Sequence, residues 1–213
     1  MAEHHIPLEA ARFYHIYNRG IDKTNIFRNK ENYEYFLKLY AKHCLCVVET
    51  YAYCLLANHF HLLVRVKEEL PTYAALYPDL RSDQLTAKSK EMVNPNTQFG
   101  HFFNAYAQSF NNSFKPKRTG GLFEEPFERL LVDNDAYFSQ LVQYIHCNPQ
   151  KHGFVADFTD YPYPSYHSHL SQSPTKLERK AVIDWFGSPT DYKEFHRKEA
   201  DEREIQKYII EFD

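Results

Sequence analysis

Glycine is scarce. Six glycines in 213 residues are under half the usual share of ~7 %, which excludes collagen-like repeats and glycine-rich linkers. No apolar run reaches the ~18 residues that cross a bilayer. The opening MAEHHIPLEA lacks the basic-then-apolar order of a signal peptide, so a cytoplasmic protein without membrane association is expected. The four cysteines, Cys44, Cys46, Cys54 and Cys147, show no CxxC spacing and read as core thiols rather than a zinc site or disulfide framework. No internal repeat or low-complexity tract is present, which removes solenoid architectures.

Aromatics are abundant, with 17 Phe, 17 Tyr and one Trp, enough for a sizeable core. At about 150 residues per domain the length suits one substantial domain with an appendage. The division expected is 1–173 and a charged helical segment, 174–213. The net charge of −3 conceals local positive clusters. Arg12, Arg19, Lys23, Arg28 and Lys30 are opposed by Asp22 alone, and Lys115, Lys117 and Arg118 form a second cluster. From Pro174 onward 8 basic and 10 acidic residues supply most of the negative balance.

RFYHIYN (Arg12 to Asn18) before Gly20 suits a strand ending in a turn. Asn29 can cap a helix carrying Tyr33, Phe36, Leu37 and Tyr40 at helical spacing. Val47 to Leu56 and Phe60 to Val66 are β-rich and flank Ala57-Asn58-His59, as in neighbouring antiparallel strands. Glu68 to Asn96 holds three prolines and many charges, so a long insertion with a single helical turn is expected. Phe99 to Phe114 is helical in periodicity, Phe127 to Val132 is a short strand, and Asn134 or Asp133 caps a helix that Pro149 is expected to stop. The order predicts an α+β fold with one antiparallel sheet. Helical patterning returns over Leu177 to Phe186 and Tyr192 to Ile210.

His59-Phe60-His61 places two imidazoles on one strand face, where both can address one ion. Two-histidine patterns are weak evidence in a chain with 12 histidines. His167-Ser168-His169 has equal spacing but falls in a Pro/Ser-rich stretch read as a loop. On the helix from Asp135, Gln140, Tyr144 and Asn148 lie four apart in a polar stripe separate from the apolar one. Packing tyrosines and a helix terminus at Asn148-Pro149 explain those residues equally well on pattern alone.

Together with these features, YHIYNRG (Tyr14 to Gly20), ANHFHLLV (Ala57 to Val64), FNAYAQSFN (Phe103 to Asn111), GLFEEPFER (Gly121 to Arg129) and QYIHCNP (Gln143 to Pro149) resemble the REP-associated branch of the single-tyrosine HUH transposases, close to the IS200-like enzymes. The resemblance covers most of the first 170 positions and leaves the tail after Ser173 outside. It implies a ferredoxin-like sheet with helices packed on it, a divalent ion (Mg²⁺ or Mn²⁺) held by His59, His61 and Asn148, and Tyr144 as nucleophile. The tyrosine would attack a single-stranded DNA phosphate, join the 5′ phosphate to the enzyme and free a 3′ hydroxyl.

A free tyrosine has a pKa near ~10 and needs help to attack at neutral pH. Imidazoles and an amide oxygen would also accept Zn²⁺. The implied partner is single-stranded or hairpin DNA of REP-like palindromic type, met by a monomer or homodimer. Arg12, Arg19, Lys23, Arg28, Arg65, Lys115, Lys117 and Arg118 are the candidate backbone contacts. Two departures stand out: Glu124, Glu125 and Glu128 where relatives carry basic residues, and Tyr163-Pro164 in place of a Trp-Ser pair. The rival functions are a non-catalytic DNA-binding regulator derived from a transposase, and a small-molecule metallohydrolase built on His59 and His61.

Overall fold

The computed structural model describes residues 6–76, 87–124 and 126–198. Its centre is a four-stranded antiparallel sheet in the order β2-β3-β1-β4, formed by β1 (Phe13–Arg19), β2 (Val48–Leu55), β3 (His59–Val66) and β4 (Glu128–Val132). This is the ferredoxin-like arrangement within an α+β fold. The two inner strands are buried on both faces, as their near-continuous aromatic and aliphatic character requires. Gly20 ends β1 where Thr24 doubles back: a Cβ there would lie 2.1 Å from the Thr24 carbonyl oxygen, so only glycine fits.

One face of the sheet carries α1 (Lys30–His43) and α3 (Pro95–Asn112). Asn29 caps α1 by accepting from the Asn32 N–H at 3.1 Å, and Asn94 caps α3 by accepting from the Thr97 N–H at 3.2 Å. The latter helix starts four residues before the expected Phe99, because Pro95 in the first turn is preorganised for the helix. Phe36, Phe99, Phe102 and Tyr106 pack against Tyr14, Ile16, Phe60, Leu62 and Val64. Each fully buried ring contributes about 1.5–3 kcal/mol. The insertion expected over Glu68 to Asn96 contains α2 (Tyr73–Leu76), a single turn, and a 3₁₀ turn at Ala87–Lys90; 77–86 lie outside the described residues.

The opposite face carries α4 (Asp135–Lys151), α5 (Tyr166–Leu170), α6 (Arg179–Phe186) and α7 (Pro189–Arg197). Leu141, Val142 and Ile145 of α4 meet Ala52, Cys54 and Leu63 of the sheet together with Val182 and Tyr192. Period-two alternation sorts β3 between the cores: Phe60, Leu62, Val64 and Val66 to one side, Leu63 to the other.

Three expectations change. Pro149 does not stop α4, which runs on to Lys151. It sits in the last turn, where the His152 N–H reaches the Asn148 carbonyl and the Phe154 N–H reaches that of Pro149. His167-Ser168-His169 lies in helix α5, not a loop, because Ser165 Oγ is tied to the Tyr53 N–H of β2 at 2.9 Å and Tyr166 and His169 are buried. Of the second tail helix, the described part is α7, which starts at Pro189 behind a Ser188 cap, ahead of the expected Tyr192; residues from 199 lie outside the described set.

Residues 179–197 are anchored on this second core through the buried Val182, Tyr192 and His196. Gln143 Nε2 donates to the carbonyls of Phe195 (2.9 Å) and Lys198 (2.7 Å) at the end of α7. His146 Nδ1 lies 2.8 Å from His196 Nε2. All four cysteines are free thiols. Among the described residues no helix is long and apolar enough to cross a membrane.

Candidate active site

Strand register brings the histidines together. On β1 and β3, Tyr17 is opposite His61 and Arg19 opposite His59, and the odd-numbered residues of both strands point toward α4. The α4 helix then lays its polar stripe over this face. His59 Nε2 lies 3.4 Å from Asn148 Oδ1, and the His61 and Tyr144 rings meet edge to face at 5.6 Å between centroids. His59 and His61 are nearly perpendicular, 5.2 Å apart. The four residues singled out from the sequence, distant along the chain, therefore occupy one buried corner.

The hydrogen bonds orient the donors. His59 Nδ1 sits 2.8 Å from the Asn58 carboxamide oxygen, which only accepts, so the imidazole proton belongs at Nδ1 and Nε2 is left as a lone pair. Burial, and then the neighbouring His152, hold the His59 pKa down at about 4, so the ring is neutral at pH 7. His61, also pushed far down by burial, has its Nδ1 3.0 Å from His15 Nε2, while its Nε2 is buried without a hydrogen-bond partner. Asn148 turns its oxygen rather than its nitrogen to His59, and its Nδ2 is likewise without a partner.

The donor types fit a divalent cation: two neutral imidazoles, His59 with its Nε2 lone pair 3.4 Å from Asn148 Oδ1 and His61 with an unpartnered Nε2, together with that amide oxygen. Among the described residues no three His, Cys, Asp or Glu side chains are grouped to hold a metal. The third donor would be an amide.

Two residues missed in the sequence stand beside this corner. Lys151 Nζ lies 5.4 Å from the Tyr144 ring centroid, and the His152 ring is 5.1 Å from that of His59. His152 continues the spacing Gln140, Tyr144, Asn148 by four more residues. The four-residue spacing carries that signal, which a helix stopped at Pro149 leaves out.

The eight candidate DNA contacts divide. Arg12, Lys23, Arg28, Lys115 and Lys117 are exposed. The Arg28 guanidinium stacks 4.5 Å over Phe114, so the two basic clusters, distant in sequence, adjoin in space. The other three hold local structure. Arg118 donates to Asn111 Oδ1 at 2.7 Å, and Arg65 pairs with Glu49 at 3.2 Å, toward the end of β3 away from His59. Arg19 pairs with Glu124 at 2.7 Å. Glu125 lies outside the described residues, and Glu128 is half-buried opposite Tyr17. Tyr163 stacks on Tyr33 at 3.5 Å.

No family model matches the chain. A curated Haemophilus influenzae protein whose name places it among the REP-associated tyrosine transposases is 30 % identical over 144 residues, covering 66 % of this chain and 68 % of that protein. A solved structure of a REP-associated tyrosine transposase bound to a REP hairpin aligns with a TM-score of 0.51, covering 82 % of this chain and 89 % of that one at 14 % identity. That likeness concerns the fold.

Proposed function

The chain belongs to the REP-associated tyrosine transposase family, and from that membership we propose that it cleaves and rejoins single-stranded or hairpin DNA through Tyr144. The observation carrying this reading is the meeting of Tyr144 with His61 at 5.6 Å beside the His59–Asn148 contact of 3.4 Å. Packing alone gives no reason to bury so many unsatisfied polar atoms in one place.

In the cleavage step the Tyr144 oxygen forms a bond to phosphorus while the bond to the 3′ oxygen breaks. The proton lost by the phenol balances the one gained by the leaving 3′ hydroxyl. The phosphotyrosine conserves the energy of the broken bond, so a DNA hydroxyl can later reverse the exchange. The Lys151 ammonium near the Tyr144 ring favours negative charge on the phenol as it attacks. A divalent ion, Mg²⁺ or Mn²⁺, on His59 Nε2, His61 Nε2 and Asn148 Oδ1 would polarise the scissile phosphate. Tight packing of Tyr144 restricts its rotamers and spares that entropy at the moment of attack.

An open depression of about 530 Å³ lined by Arg28, Lys30, Tyr33, Ala57 and Tyr163 begins two residues from His59. Its cations suit the phosphates of an unpaired strand, and the face of Tyr163 turned away from Tyr33 suits a base.

The test is incubation of the full chain with a labelled hairpin bearing a single-stranded flank and Mn²⁺, followed by denaturing electrophoresis. A covalent protein–DNA adduct is expected, absent in Tyr144→Phe while hairpin binding persists. Binding by the natural sequence without an adduct would instead identify a regulator, and an adduct that survives Tyr144→Phe would remove the nucleophile assignment.

A further inference from the structure

The proposed ion site contains an asymmetry. His59 is oriented by a carboxamide, Asn58, but His61 is oriented by a second histidine. We propose that His15 is a positioning residue whose tautomer decides whether His61 offers the cradle a lone pair or an N–H. The inference rests on the ion-binding reading above.

His15 is fully buried on β1, and its Nε2 is 3.0 Å from His61 Nδ1. The rings are stacked 5.1 Å apart. One proton occupies that contact. When it belongs to His61, Nδ1–H donates to His15 Nε2, and His61 Nε2, buried without a hydrogen-bond partner, is left as a bare lone pair. When it belongs to His15, the donor and acceptor exchange: His61 then carries its own proton on Nε2, aimed where the ion would sit, and cannot ligate. Both arrangements are neutral overall, so the choice is one of tautomer and not of charge.

Neither state is favoured by outside partners. His15 Nδ1 and His61 Nε2 are both buried with no hydrogen-bond partner, so each arrangement strands one N–H. Asn58 presents its carboxamide oxygen to His59 Nδ1 and so favours one tautomer of that ring. The His15–His61 pair leaves the choice to the cation, which admits only the first state.

Two measurements test this on the full chain. In Mg²⁺, long-range ¹H–¹⁵N spectra should place the His61 proton on Nδ1 and that of His15 on Nδ1. A His61 proton on Nε2 overturns the proposal. In Mn²⁺ titrations, His15→Leu should weaken binding about 10–100-fold, the usual effect of removing such an outer partner. His15→Gln, which restores an acceptor, should recover most of it. Hairpin binding in EDTA should be equal in all variants, showing that the fold is retained.

His61→Ala separates the two levels. If it loses Mn²⁺ while His15→Leu binds as tightly as the natural sequence, the ion site stands and the role of His15 falls. If His61→Ala itself binds Mn²⁺ unchanged, the ion site falls and takes this proposal with it.

Discussion

Glu124→Gln should strengthen DNA binding by removing the carboxylate that pairs with Arg19. The two side chains pair at 2.7 Å with 23 % and 37 % of their surfaces exposed. Register sets Arg19 directly across from His59, and its charge is among those lowering the His59 pKa. A phosphate approaching the cradle must therefore compete with Glu124 for this guanidinium. A pair so exposed contributes about 0.2–1 kcal/mol to stability, a melting shift of a few degrees at most in a chain of this size.

The gain in binding is read from salt dependence. One added phosphate contact steepens the plot of log K against log salt by ~0.9. Between 50 and 200 mM NaCl that slope changes the affinity ratio of variant to natural sequence by about 3.5-fold. Fluorescence anisotropy with a labelled hairpin over that range measures it. Glutamine keeps the backbone links through which Glu124 N–H reaches Arg19 O and Asn18 Nδ2 reaches Glu124 O. The control is the same substitution on an Arg19→Gln background, where no steepening should remain. An unchanged slope in the single variant, or an equal gain in the double one, refutes the competition between Glu124 and phosphate for Arg19.

Gln143→Leu should lower stability by about 1–3 kcal/mol, because two carbonyls at the end of α7 lose their donor; calorimetry should show a melting temperature reduced by several degrees. Acid should act through His196. It is buried, donates from Nδ1 to the Tyr192 carbonyl at 2.7 Å, and is held by burial at a pKa of about 4. Since its unfolded value is near ~6.5, the unfolded chain binds more protons between these limits. Stability therefore rises with pH across that window and falls by on the order of 3 kcal/mol as pH drops from 6.5 to 4. Urea midpoints at pH 7 and pH 5 measure the effect, and His196→Gln should remove the share of one proton while the other buried histidines, His59 and His61 among them, keep theirs.

Local signals survived into the structure where they depend on a residue's immediate neighbours. Asn29 caps α1 as read, and the alternation of His59-Phe60-His61 does put both imidazoles on the face covered by α4. Pro149 misled because a proline's cost depends on how many turns follow it, and here hardly any do. The stretch 166–170 became helical because β2 anchors Ser165, a contact over a hundred residues away. Basic residues were visible as clusters, but their partners were not: Arg19, Arg65 and Arg118 are each committed to groups supplied by other segments.

By itself the sequence determined the periodicities, the caps and the set of polar side chains at two- and four-residue spacing, since these are properties of short stretches of backbone. Only the folded sheet decided that His15 stands behind His61, that Lys151 and His152 flank the polar stripe, and that α7 clasps α4 through Gln143 and His146. Those relations come from strand register and from helix-on-sheet packing, which are set by the burial of two aromatic-rich cores at once and have no local signature along the chain.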